Sequence, residues 1–233
     1  MLNIKFTNAT NVELVTVGNP NTITYTLNNN EFSCSDNIFS KDDKNYYHFA
    51  ITGTNVQLSG TIGEVTEAYQ YFKLFEGQTA ITDASNLTLS SVVAKEFCYA
   101  NMFLDCTNLT SPPTIEATTL AKWCYSSMFG NCSSLSAAPA LVATELAPFC
   151  YYCMFYGCKS LTDSPELPAQ SLYSWSYNSM FYKCSNLSSI DASMSAWNGN
   201  ATSSWVTKVA KHGYFYNTTV EEIYGNSNIP EGW

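Results

Sequence analysis

The chain has 233 residues, a formal net charge of −9, and 12% charged against 15% aromatic residues. Its ten Lys and Arg are too few and too scattered to neutralise a phosphate backbone, which excludes nucleic acid as a partner. No run of about 18 apolar residues is present to cross a bilayer, and the length suffices to bury roughly 70% of the unfolded surface without disulfide staples.

The opening MLNIKFTNATNVELV lacks the charged start and continuous apolar stretch of a secretory leader. This points to a protein that is not exported by that route, or to one whose leader has been removed. From there to about Gly60, the runs LNIKFTN, VELVTV, TITYTL, YYHFAIT and VQLSGTI alternate with period two and are separated by Asn, Gly and Pro. They predict short strands assembled as a small β-sandwich-like module over residues 1–65. SCSDNIFSKDDKN is polar and reads as an exposed loop holding Cys34, the one cysteine that precedes Cys98.

The centre of the chain is a repeat. CYANMFLDCTNL, CYSSMFGNCSSL, CYYCMFYGCKSL and SYNSMFYKCSNL begin at Cys98, Cys124, Cys150 and Ser176, a step of 26 residues each time. Tyr99, Phe103, Cys106 and Leu109 each found a column in this register. A degenerate first unit precedes them, with Tyr71, Leu74, Phe75 and Ile81 at the same mutual offsets and Gln70 and Gln78 in the cysteine positions. A fixed period of this size marks a solenoid, in which each unit covers its apolar side by stacking on the next. Seven cysteines fall in two columns and read as buried free thiols.

Within a unit, Leu120, Cys124 and Met128 stand four apart, and Ala121, Tyr125 and Phe129 do likewise. This double stripe predicts a helix of about ten residues ended by Gly130 and Asn131. CSSLSAAP and its counterparts predict short parallel strands closed by Pro113, Pro139 and Pro165. The expected fold class is therefore α/β: an N-terminal β module (1–65), a solenoid of about five coils (66–191) with strands on one side and helices on the other, and a C-terminal cap (192–233). The cap should hold a last helix over SSWVTKVAKHG, a terminal strand in GYFYNTTV and a closing turn in GNSNIPEGW.

MFxxCxxL, at Met102, Met128, Met154 and Met180, resembles the AFxxCxxL signature of BspA-like (Treponema-type) leucine-rich repeats. The Pro after each strand, ATTLA and ATELA, and the closing IPEGW are similar to the long-unit variants of gut Bacteroidales and their phages. The resemblance implies a non-enzymatic protein of adhesion or recognition, and it brings no catalytic residues.

Nothing in the sequence assembles a catalytic set. Glu116, Glu145 and Glu166 share no column, CxxC occurs once (Cys150 to Cys153), and His48 and His212 lie far from it, so no catalytic residue, metal or cofactor is expected. Cys153, standing on the polar side of its unit, has a reactive thiol as its only functional reading. Aromatic residues off the core columns, Trp123, Phe149, Tyr152, Tyr156, Tyr173, Trp175 and Tyr182, are the candidate binding face. The expected function is a structural and recognition component of a phage virion, such as a capsid decoration, head fibre or tail protein. In that setting the N-terminal module joins other virion proteins, and the repeat surface meets a protein or glycan, with a homo-oligomer as a further form. The alternatives are an exported bacterial surface adhesin and, behind it, a carbohydrate-active enzyme using the aromatic face.

Overall fold

The computed structural model describes residues 2–18, 25–26, 28–34, 38–39, 41–217, 229–230 and 233. They form a β-solenoid of about six turns. Two long strands, β1 (Leu2–Val17) and β4 (Tyr46–Ile62), pair antiparallel, with the short strands β2 (Tyr25–Thr26) and β3 (Glu31–Cys34) along the outer edge of β1. The runs LNIKFTN and VELVTV are one strand, not two, bent at a bulge where Asn8 takes φ 67°. Opposite it, Gly53 has φ 150°, and a Cβ there would lie 2.6 Å from the Asn8 carbonyl oxygen. Only glycine permits that approach.

No sandwich forms. β4 pairs parallel with β5 (Ile81–Leu89) in the first coil, and β5 pairs with β6 (Thr114–Ile115), so one six-stranded sheet runs from the N-terminal strands into the solenoid. The apolar side of the β1–β4 hairpin lies on the first coil: Phe49 stacks on Phe75 at 5.4 Å between ring centroids and meets Phe6 edge-on at 5.0 Å. Gln70 and Gln78 replace cysteine in this coil because their amides reach groups beside the core. Gln70 Oε1 accepts from the Thr66 amide at 2.7 Å, and Gln78 Oε1 from the Ile51 amide at 2.7 Å.

The predicted helices are absent among the described residues, and with them the α/β class. In their place the chain makes consecutive tight turns. The amides of Cys98, Ala100, Met102, Leu104 and Cys106 donate to the carbonyl three residues back. Those of Phe97, Tyr99, Asn101, Phe103 and Asp105 donate to the next coil, at Lys122, Cys124, Ser126, Met128 and Gly130. Alternate amides thus serve the turn and the stack. Every fourth residue is left-handed: Phe97, Asn101 and Asp105 in one coil, Trp123, Ser127 and Asn131 in the next. Such a path directs side chains in pairs, two inward and two outward.

The inward pairs are the repeat columns. Cys124, Tyr125, Met128, Phe129, Cys132 and Leu135 and their counterparts are buried throughout the array. The Tyr column stacks from Tyr71 to Tyr177 and the Phe column from Phe75 to Phe181, with rings in the four-unit array within about 17° of parallel. Each second-column thiol donates to the Phe carbonyl of the coil before: Cys106 to Phe75 at 3.0 Å, Cys132 to Phe103 at 3.1 Å, Cys158 to Phe129 at 3.1 Å and Cys184 to Phe155 at 2.9 Å.

The expected strand side forms only in part: β7 (Asp163–Leu167) and β8 (Ser189–Ala192) follow Leu161 and Leu187 and pair parallel, β6 begins beyond Pro113, and no strand forms in CSSLSAAP after Leu135. Pro165, expected to close its strand, lies inside β7. The array also does not end at Asp191. Tyr177, Ser179, Phe181 and Lys183 donate to Ala201, Ser203, Trp205 and Thr207, and Ser204 and Lys208 are left-handed. The expected last helix is therefore another coil, with Trp205 in the Met column and Val206 in the Phe column. β9 (Tyr214–Tyr216) adds the terminal strand beside β8, while residues 218–228 and 231–232 of the expected strand and closing turn lie outside the described residues. Trp233 Nε1 donates to the Ala210 carbonyl at 2.9 Å.

His48, in β4, joins the N-terminal strands to the first coil. Its Nδ1 lies 3.2 Å from the Lys73 carbonyl oxygen and its Nε2 lies 2.9 Å from Gln78 Nε2, so the neutral Nδ1–H tautomer satisfies both contacts. Burial pushes the imidazole below its ordinary value of 6.5, against the opposing pull of the Lys73 carbonyl and Glu76. The unfolded chain then takes up the proton first, so the stability that neutral His48 provides is present above its ordinary pKa and is lost as pH falls below it. Thermal unfolding followed from pH 7 to pH 5 is expected to show a falling Tm, with a shallower fall in His48→Gln.

Candidate functional site: the outward face of the turns

Outward pairs alternate with the buried ones, so Trp123, Phe149, Trp175, Tyr152, Tyr156 and Tyr182 all stand on one side of the solenoid. Trp123 and Phe149 stack at 3.9 Å and 16°, and Phe149 and Trp175 at 5.9 Å and 2°. The column is longer than the off-core aromatics alone suggest: Phe97 stacks on Trp123 at 5.7 Å, and Tyr69 on Phe97 at 4.6 Å. Phe97 stands two before Tyr99, as Trp123 stands two before Tyr125, and Tyr69 two before Tyr71. That register was the available signal for both.

All five members are left-handed, with φ between 53° and 61°. Bulky L-residues there cost about 1–2 kcal/mol each, which ring stacking of about 0.5–1.5 kcal/mol per pair offsets. Because ring faces cover one another, the ladder shows solvent its edges.

Tyr152 meets Trp123 edge-on at 5.5 Å. Tyr156 and Tyr182 form a second stack at 5.5 Å and 3°. Lys183 Nζ donates to the Tyr156 hydroxyl at 2.9 Å, and Lys208 Nζ lies 5.6 Å from the centre of the Tyr182 ring. Tyr173, half exposed, stands apart from both stacks beside a cleft of about 400 Å³ with Glu145, Gln170 and Ser171. Glu166 lines a different cleft.

All nine cysteines are free. Burial raises the array thiols, Cys98, Cys106, Cys150 and Cys184 to about 12, which leaves them protonated and unreactive. Cys153 is half-buried, and its thiol is also raised by burial, against hydrogen bonds with Tyr152 and Ser179. Titration of the native protein with an aromatic disulfide at pH 8 is expected to modify Cys34 and Cys153 alone, and the other seven cysteines only after denaturation. Among the described residues no group of three or more His, Cys, Asp and Glu is placed to hold a metal ion, and no helix is long and apolar enough to cross a membrane. Comparison with family models, with curated proteins and with solved structures finds no match.

Proposed function

We propose that the chain is a non-enzymatic recognition protein of a phage particle, presenting the outward face of its turns to a binding partner. What carries the reading is the aromatic ladder. Trp175 is 39% exposed at its end, and all five rings occupy backbone positions where Gly or Asn would be cheaper. Tyr and Trp edges with polar tips are the groups that dominate contact surfaces.

The nine free thiols favour assembly in a reducing compartment, as in a particle built inside a cell, over passage through an oxidising one. An antibody raised against the chain, used for immunogold electron microscopy of particles and cells from a producing culture, tests the setting. Label on the particle exterior is expected. Label confined to the cell surface would move the protein to the adhesins, and label confined to the cell interior would end the recognition reading.

A further inference from the structure

One outward column changes size abruptly. It reads Phe72, Ala100, Ser126 and Tyr152, with Ala100 and Ser126 buried beneath the surface of their larger neighbours. Two small residues between two rings leave a groove about two coils long at a coil spacing of about 4.8 Å. Its volume is about 290 Å³, at the small end of ligand clefts. The ladder residues Tyr69, Phe97 and Trp123 line it on one side of Ala100 and Ser126, Asn101 and Ser127 on the other, and Asp43, from the N-terminal module, also lines it.

The chemistry of this lining is specific. The side chains of Asn101, Ser126 and Ser127 make no hydrogen bond to any described residue. The groove therefore offers an amide, two hydroxyls and a carboxylate, which both donate and accept, beside ring edges whose partial positive charge favours oxygen. Among the described residues no free cation faces it: Lys73, in the same column as Asn101 and Ser127, is held by Glu76 at 3.1 Å and lies over the rings of Tyr46 and Phe72. Asp43 and a net charge of −9 repel phosphate, sulfate and carboxylate groups.

We infer that this groove binds a neutral hydroxylated ring, a hexose unit of a glycan, with hydroxyls on Asn101, Ser126, Ser127 and Asp43 and its other oxygens toward the ring edges of the ladder. The inference rests on the recognition reading and names its ligand class. A site of this size gives a Kd of about 0.01–1 mM for one or two sugar rings.

The test is a glycan microarray that includes neutral, sialylated and sulfated structures, followed by calorimetry with the strongest neutral oligosaccharide. Ser126→Tyr repeats the Tyr152 of the next coil and fills the groove with a residue the column already accommodates. It is expected to reduce affinity at least about 10-fold while leaving the circular dichroism spectrum and Tm near those of the parent. Ser126→Ala, which keeps the space, is expected to lose less. An array silent for neutral glycans, hits confined to charged ones, or binding untouched by Ser126→Tyr would overturn the inference. Each of these would leave the immunogold result standing, so the two readings fail separately.

Discussion

Phe129→Ala is expected to destabilise the protein by about 3–5 kcal/mol and to divide its unfolding into two transitions. Phe129 is fully buried, lies between Phe103 at 5.7 Å and Phe155 at 5.6 Å, and its carbonyl oxygen holds the Cys158 thiol. In a globular core, neighbours from several directions share the loss of one ring. Here the column is single file, and nearest-neighbour contacts carry the cooperativity between coils. A missing rung therefore weakens the link between the two halves as well as each half. Urea unfolding followed by tryptophan fluorescence and by circular dichroism is expected to give coincident curves for the parent and separated ones for the variant. A single coincident transition at lower urea would show that the backbone bonds between coils suffice to couple them.

Phe49→Ala is the second large effect, again about 3–5 kcal/mol, and its consequence is association. Phe49 touches Phe6, Phe32 and Phe75, so it joins the N-terminal hairpin to the first coil. Without it the hairpin loosens from a coil whose next partner would be another apolar coil end. Terminal units of solenoids need covering for solubility, and an uncovered one offers unpaired strand groups. Light scattering at increasing protein concentration should show oligomers for Phe49→Ala and none for Phe129→Ala at the same stability loss.

The repeat, its columns and its buried cysteines were legible because a 26-residue step with apolar residues in fixed positions has no reading other than a stack. The local path was not. Cys124, Met128 and Cys132, with Tyr125 and Phe129 beside them, satisfy a helical stripe and a chain of four-residue turns almost equally. The discriminating sign was drift: at 3.6 residues per turn each four-residue step advances about 40°, so Cys132 would have left the face that Cys124 and Met128 occupy. The left-handed positions were also hidden, since Phe97, Trp123 and Trp175 are residues that propensity places there last. The outward position of Trp123, Phe149 and Trp175 was legible because they fell off the core columns, whereas the groove over Ala100 and Ser126 was not, because small residues carry no signal alone.

The bonding of alternate amides to the following coil has a consequence for how such a protein changes over time. Since each unit hands its successor the same set of donors at the same spacing, a duplicated 26-residue segment inserted between two units would be received by both without adjustment. The molecule would grow by about 4.8 Å and gain one more pair of outward rings. Length in this architecture works as a ruler whose graduations can be copied, so the distance between the amino-terminal strands and the ring of Trp175 can be reset by recombination, independently of any change in the side chains of each unit.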